Sequence, residues 1–143
     1  MFVVEVVRAR GHPNIRAEHE GTLEITRDED LTPRGDCIIG VSADKAARDL
    51  SPRLKGLLRE GRPLLVVLAA GGFVDFLECS GSPELELSDP ERIVVRRSGY
   101  IEPSTLCVRA SKAARDIDRR LVASLRSGSP LLVLLASPAY SQV

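Results

Sequence analysis

Five residues of this chain carry the side chains best suited to binding an anion: His12, Arg34, Gly35, Asp36 and Lys45. Arginine offers a planar fork of donors to a phosphate or carboxylate, and lysine adds a positive charge. Glycine lets a backbone approach a ligand closely. We expect these residues to bind a small anionic or phosphorylated molecule. We also expect Arg34 and Asp36 to be solvent-accessible, with His12 or Lys45 within one water-mediated contact of them.

Lysine occupies the same place in two copies of the sequence KAARD, which begin at Lys45 and Lys112. We predict that each copy opens a helix, where free backbone N–H groups favour a phosphate. A structural interpretation competes with this one. Asp49 and Asp116 follow four residues later and can pair with the lysines, while Asp44 is a candidate N-cap.

Two other chemistries are weaker. His12, His19, Asp36 and Cys37 include metal-ligand types, but seven residues separate the histidines, which is not a zinc spacing. The sequence therefore favours no metal. Cys37 could act as a nucleophile with a histidine as base. A single cysteine entering an apolar strand is more typical of a small buried hydrophobe, so the sequence leaves open whether the protein is an enzyme, and it names no cofactor.

The composition argues against several partners. The 143 residues include 20 basic and 20 acidic side chains, so no net charge draws the chain to nucleic acid. Aromatic residues make up only 3%, which weakens any base-stacking interpretation. The longest apolar run, residues 64–73, is too short to span a membrane. Without a targeting signature, we expect a cytoplasmic protein.

Three cysteines are present, at positions 37, 79 and 107. Their odd number and the absence of a C-x-x-C pair argue against a disulfide framework. Each lies in or beside an apolar strand. We predict that Cys37, Cys79 and Cys107 are reduced, unlinked and mostly buried.

An internal repeat dictates the expected architecture. Residues 3–70 align with residues 73–136 through one gap of three residues, which the simplest alignment sets on Arg34–Asp36 of the first half. Each unit is predicted to be β-β-β-α-β. Together they predict one β-rich α+β domain over residues 1–143, sandwich- or barrel-like, with a pseudo-twofold axis.

Local signals refine that expectation. The first helix is predicted to kink at Ser51-Pro52 and the second to be continuous. Gly71-Gly72 is predicted to form a two-residue hairpin between the halves. The fully apolar strands near residues 64–70 and 131–136 are predicted to be central. Residues 15–19 are a candidate short strand, and the tail from Pro138 is expected to be frayed.

The chain resembles a mainly archaeal family, domain-of-unknown-function family 371. The resemblance covers nearly the whole chain and rests on residues 11–14, His19, residues 22–26, residues 31–46 and the second KAARD. It implies a compact β-rich fold with helices and carries no activity. The resemblance implies a G-H-P turn followed by a histidine in the second half as well. This chain has Gly81-Ser82-Pro83 and Asp89 at those positions, which argues against two equivalent sites.

Three functions follow as expectations. The first is binding of a small anionic ligand by the His12, Arg34, Gly35, Asp36 and Lys45 cluster. The second is an enzyme that uses the same cluster. The third is a non-catalytic structural or assembly module, a homo-oligomer whose strand edges and apolar faces are the working surface.

Overall fold

The computed structural model describes residues 1–139. Of the tail that the sequence predicts to be frayed, residues 140–143 lie outside the described residues, and Pro138 is the last residue of strand β8. The same order of elements occurs in residues 2–70 and in residues 73–138: three strands, a single 3-10 turn, a helix and a strand. The elements are β1 (Phe2–Arg10), β2 (Thr22–Thr26), β3 (Ile38–Gly40), α1 (Pro52–Arg59), β4 (Pro63–Ala70), β5 (Phe73–Ser80), β6 (Arg92–Arg96), β7 (Thr105–Cys107), α2 (Arg119–Arg126) and β8 (Pro130–Pro138). The candidate strand at residues 15–19 is absent from this order.

The strands form two four-stranded sheets. The long-strand sheet has the order β1-β8-β4-β5 and is antiparallel throughout. The short-strand sheet has the order β3-β2-β6-β7, with an antiparallel centre and parallel edges. Side chains from both sheets line one narrow space between them, so the sheets face each other. The predicted β-rich α+β class is confirmed, and the closed-barrel alternative is wrong because the strands divide into two sheets whose edges are joined by isolated bridges and not by continuous strand pairing.

The core lies on one side of the long-strand sheet. Strand β1 alternates, with Val3 and Val7 buried while Phe2 and Val4 are exposed. The buried face packs against the short-strand sheet and both helices, and the apolar helix residues Leu54 and Leu121 are fully buried there. One layer of sheet and helix therefore covers one face of the long strands.

The two helices are shorter than predicted. Each KAARD forms a separate 3-10 turn, Ala47–Asp49 and Ala114–Asp116, and the α-helices begin only at Pro52 and Arg119. The expected break at Pro52 is present, because the residue before a proline is driven out of the helical region. The prediction of a continuous second helix is wrong.

The caps differ from those predicted as well. Ser51 caps α1 through its hydroxyl, which accepts from Leu54 N, and Asp118 caps α2 by accepting from Arg120 N. Asp44 is not a cap, because its carboxylate instead accepts a hydrogen bond from the backbone N–H of Arg8. Lys45 consequently lies outside any helix.

The turn between the halves forms as predicted. Ala70 pairs with Phe73, and the intervening Gly71 and Gly72 have φ of +59° and +83°. Two consecutive positive φ values are the geometry of a type I′ hairpin, which glycine adopts without steric cost.

The prediction of three unlinked cysteines is wrong. Cys79, at the end of β5, forms a disulfide with Cys107 of β7, and Cys37 is free and half-buried. The two strands belong to different sheets, but paired backbone hydrogen bonds between Ser80 and Val108 draw their ends together. A spacing of 28 residues gives no sign of this contact.

Candidate functional site

Two loops of the first half lie side by side. The loop after β1 carries Asn14 and Arg16, whose side chains donate to the carbonyl oxygens of Leu31 (2.7 Å) and Pro33 (2.8 Å) in the loop before β3. Farther along, the backbone N–H groups of residues 18 and 19 both donate to Asp36 O. The structure therefore brings the His12 loop beside the Arg34 loop.

The Arg34 loop itself is accessible. Arg34 is exposed and Asp36 is half-buried, which confirms the predicted accessibility. Within residues 1–139 the Arg34 guanidinium makes no hydrogen bond or ion pair. A Cβ added to Gly35 would lie 2.8 Å from Leu31 Cδ1 and 3.1 Å from Ile38 Cδ1, so a larger residue there would displace the ends of these two side chains.

His12 has a local structural role. Its Nδ1 accepts a hydrogen bond of 3.0 Å from the backbone N–H of Asn14. In the second half, Ser82 Oγ accepts from the backbone N–H of Glu84 at 3.3 Å. The same turn is thus closed by histidine once and by serine once, so closing it does not require a histidine.

His19 behaves in the same way. Its Nδ1 accepts from the backbone N–H groups of Gly21 and Thr22, both at 3.0 Å. Asp89 Oδ1 accepts from the backbone N–H groups two and three residues further on, at 2.7 and 2.9 Å. Because Nδ1 accepts both bonds, the ring nitrogen left to act as a donor is Nε2.

Lys45 binds a residue that does not belong to the Arg34 loop. Its Nζ lies 3.0 Å from Oε2 of Glu5, whose other carboxylate oxygen accepts from Ser51 N at 2.8 Å. Asp49 does not pair with Lys45, since its carboxylate closes the KAARD turn by accepting from Ala46 N. No hydrogen bond or ion pair among the described residues joins Lys45 to the Arg34 loop.

The second KAARD is held identically. Lys112 Nζ lies 2.6 Å from Asp75 Oδ1, and Asp118 N donates to Asp75 Oδ2 at 2.8 Å. Burial alone would raise the pKa of Asp75, but hydrogen bonds from Lys112 and the backbone of Asp118 and Phe76 outweigh burial and lower that pKa. The duplicated KAARD is therefore a structural clamp.

The sequence analysis missed the acidic members of these clamps, Glu5 and Asp75. A usable signal was present. Glu5 sits between Val3 and Val7 on the inward phase of an alternating strand. A carboxylate there requires a partner from another element.

Cys37 is not an activated nucleophile. Burial is the largest cause that raises the pKa of its thiol to about 11, and the nearby Glu24 carboxylate raises it further. The thiol form therefore predominates at neutral pH. Neither histidine bonds Cys37, and residues 1–139 contain no group of three or more His, Cys, Asp or Glu side chains that could hold a metal ion.

A second surface has a clearer chemical character. The outward side of the long-strand sheet, which we call the apolar face, carries three rows of side chains defined by the strand register. Its apolar members are Val4, Val6, Leu65, Val67, Ala69, Val74, Phe76, Leu132, Leu134 and Ala136. Strands β4 and β8 are central in the sheet, as predicted, yet residues 1–139 cover only their inner side.

Exposed apolar side chains concentrate on this side of the protein. Seven large hydrophobic residues in the described part of the chain are exposed, and five of them lie on this side of the long-strand sheet: Phe2, Val4, Val74, Phe76 and Leu132. An antiparallel sheet with one solvated face normally carries polar residues there. Contiguous apolar area of this kind marks an interaction surface.

The fold and its surfaces define a two-sheet α+β protein in which residues 1–139 leave one apolar sheet face uncovered. The chain belongs to the family described as Domain of unknown function (DUF371), whose model matches residues 7–137. It is 41% identical over 127 residues to an uncharacterised protein of Methanocaldococcus jannaschii, covering 89% of this chain and 94% of that relative. No helix within residues 1–139 is long and apolar enough to cross a membrane.

Proposed function

We propose that this protein is a non-catalytic assembly module that self-associates through the apolar face. One observation supports this most strongly. Strands β4 and β8 have the nearly continuous apolar sequence of strands buried on both sides. Residues 1–139 cover only one side of these strands, so a second layer would complete the burial that their sequence encodes.

The size of the face sets the expected affinity. Four strands about 4.8 Å apart and nine residues long at about 3.3 Å each make a face of roughly 570 Å². Two such faces bury at most about 1,100 Å² in total if they overlap completely, and less if their strands cross, which is below the roughly 1,200 Å² of stable interfaces. We therefore expect a dissociation constant of about 1–100 μM.

Light scattering during size-exclusion chromatography tests the proposal at protein concentrations across that range. The wild type is expected to change from monomer to dimer, whereas Val74→Asp and Leu132→Asp remain monomers. Val74 is 64% exposed and Leu132 42% exposed, so circular dichroism should show unchanged folding. Tyr100→Asp is the matched control, because Tyr100 is 59% exposed and lies in the loop between β6 and β7. A wild type that remains monomeric to millimolar concentration contradicts the proposal.

A second candidate function is supported by the paired loops of the first half. We propose that a small anion binds at Arg34, with His12, Gly35 and Asp36 of the adjoining loops. The supporting observation is the exposed Arg34 guanidinium, which has no partner within residues 1–139, on a loop anchored by Asn14 and Arg16. Lys45 is engaged by Glu5 and is not part of this proposal.

Thermal-shift titration with inorganic phosphate and nucleotides tests this site, because a ligand that prefers the folded state raises the melting temperature. The wild type and Lys45→Gln are expected to show the same shift, and Arg34→Gln should show none. Equal shifts in wild type and Arg34→Gln would contradict the proposed site.

An enzyme at this cluster has less support, because Cys37 is a neutral thiol without a histidine partner. A cytoplasmic location stays a prediction.

We further propose that the two halves are tandem repeats related by a pseudo-twofold axis. Reciprocal contacts support this. Gly11 N donates to Ser129 O and Gly81 N to Arg62 O, both at 2.8 Å. A Cβ at either glycine would collide with the final turn of the other half's helix, at Leu125 or Leu58.

The repeat proposal also relocates the three-residue gap. Asp36 O accepts from the N–H groups of residues 18 and 19, and Pro103 O accepts from those of residues 88 and 89. Ile38 N donates to Gly35 O as Thr105 N donates to Glu102 O. With Leu31 aligned to Ile101 in the sequence, these correspondences would put the extra residues at 32–34 instead of Arg34–Asp36, so Arg34 alone of the tripeptide would be additional.

A further inference from the structure

We infer that the self-association is a twofold dimer in which Arg8 of each copy pairs with Glu78 of the partner subunit across the apolar face. This inference rests on the proposed function and adds the orientation of the two copies. It follows from the charges at the corners of the face, from the strand register and from the shape of the surface at those corners.

The face has one positive and one negative corner. Arg8, on the edge strand β1, shares a row with Leu132, Ala69 and Val74. Glu78, on the opposite edge strand β5, shares a row with Leu65, Ala136 and Val4. Arg8 and Glu78 therefore lie at diagonally opposite corners of the three rows, whose other members are all apolar, and Arg10 extends the positive corner one row further along β1.

Neither charged group has a partner in the part of the chain that the structure describes. Arg8 and Glu78 are both exposed. Their backbones are bonded to Asp44 and Ser111, but within residues 1–139 neither charged group makes a hydrogen bond or an ion pair. Opposite charges at opposite corners make the face complementary to itself, because a twofold rotation can lay each charge on the other.

The register fixes where the rotation axis must lie. The two corners are three strand spacings apart, about 14 Å, and four residues apart along the strands, about 13 Å. The axis that exchanges them runs within the face along the other diagonal, from Val4 to Val74. Because the two separations are nearly equal, the strands of the copies cross at nearly 90°, which is one of the two geometries that packed sheets adopt.

Both corners carry a shallow, open depression at which a partner side chain could lie. A groove of about 510 Å³ at the Glu78 corner is lined by Phe2, Leu65 and Arg109 among others. A groove of about 410 Å³ at the Arg8 corner is lined by Leu132 and the Gly71-Gly72 turn. The partner's Arg8 would enter the first groove and the partner's Glu78 the second.

The charge pattern favours a second copy over other occupants. A nucleic acid or an anionic membrane selects a surface of one sign. Within the three rows the two charges are of opposite sign, and a surface arranged in the same way offers a complement to each. The occupant is therefore another molecule of this chain.

Charge reversal tests the orientation. In an Arg8→Glu homodimer both corner pairs become repulsive, and the same holds for Glu78→Arg. Each variant alone should dimerise at least about tenfold more weakly than the wild type. An equimolar mixture restores both pairs, because the Arg8→Glu chain presents two glutamates to two arginines, and it should recover wild-type affinity. Arg53→Glu, an exposed change on α1, is the control and should behave as the wild type.

A single cysteine tests the axis. Residues on a twofold axis face their own copies, so Val4→Cys should form a covalent dimer with itself through a short bis-maleimide, which bridges the roughly 10 Å between packed sheets that no disulfide can span. Val6→Cys is also displaced sideways from its own copy, for a separation of about 14 Å in this geometry, and it should cross-link much more slowly. Both variants are made with Cys37→Ser, since Ser104 holds the corresponding position in the second half.

The outcomes separate the two proposals. A wild type that dimerises while neither reversal weakens it, or while the mixture shows no recovery, overturns the orientation and leaves self-association standing. Faster cross-linking by Val6→Cys than by Val4→Cys overturns the axis. A wild type that stays monomeric, or that binds only lipid vesicles or other proteins, removes the proposed function as well.

Discussion

Replacing His19 tests whether the histidines are structural acceptors. His19 Nδ1 accepts two backbone hydrogen bonds and lies 3.1 Å from Thr22 Oγ1. His19→Ala leaves the N–H groups of Gly21 and Thr22 without this acceptor. Each net hydrogen bond contributes about 1 kcal/mol, so the free energy of unfolding should fall by about 2 kcal/mol. His19→Asp should stay within about 1 kcal/mol of the wild type, because Asp89 fills the same role in the second half.

Urea denaturation and thermal melting measure this difference. At about 4 °C per kcal/mol, His19→Ala should lower the melting temperature by about 8 °C. Asp89→Ala and Asp89→His form the matched pair in the second half and should show the same ranking. The reasoning is refuted if His19→Ala is neutral, or if His19→Asp is as destabilising as His19→Ala. Nitrogen-15 NMR should independently show the proton of His19 on Nε2.

Three further predictions follow from individual contacts. The double variant Cys79→Ala, Cys107→Gly removes the disulfide and introduces the residues found at the corresponding positions of the first half. Urea denaturation should show a free energy of unfolding that is lower by about 3–4 kcal/mol, because the disulfide closes a 28-residue loop. Burial raises the pKa of the Glu24 carboxyl, partly offset by Arg92. Glu24→Gln should therefore raise stability at pH 7, and a loss there would contradict this. The pKa of Asp75 is lowered on folding, so its contribution is present above the unfolded pKa and disappears as pH falls through the folded pKa. Asp75→Asn should be less stable at neutral pH, with a smaller further loss in acid titrations.

Local signals in the sequence predicted much of the fold. The Gly71-Gly72 turn and the central positions of β4 and β8 follow from short-range chemistry, and the structure has both. The first residues of the two α-helices could not be predicted from short-range signals. Leu50 and Ile117 adopt extended backbone between the 3-10 turn and the helix, because the clamp carboxylates on distant strands hold both ends of each KAARD. No spacing within KAARD reveals a partner forty residues away.

The candidate site was predicted only in part. The exposure of Arg34 and the approach of the His12 loop were anticipated, but Lys45 was assigned to the wrong element and so to the wrong partner. The disulfide joins strands of different sheets, so its pairing depends on tertiary structure alone. The apolar face was visible in the sequence as two strands without alternation. Which side the chain covers becomes apparent only once the sheets are paired.

The central claim is that the apolar face is buried against a second copy of this chain. Isotope-filtered NMR on an equimolar mixture of ¹³C-labelled and unlabelled protein tests it most directly, because only contacts between copies give signals. The account predicts cross-peaks between the methyl groups of Leu134, Val67 and Leu65, and strong contacts of Val4 and Val74 with their own copies. Cross-peaks confined to other surfaces, or none at a concentration where the protein is dimeric, would contradict it.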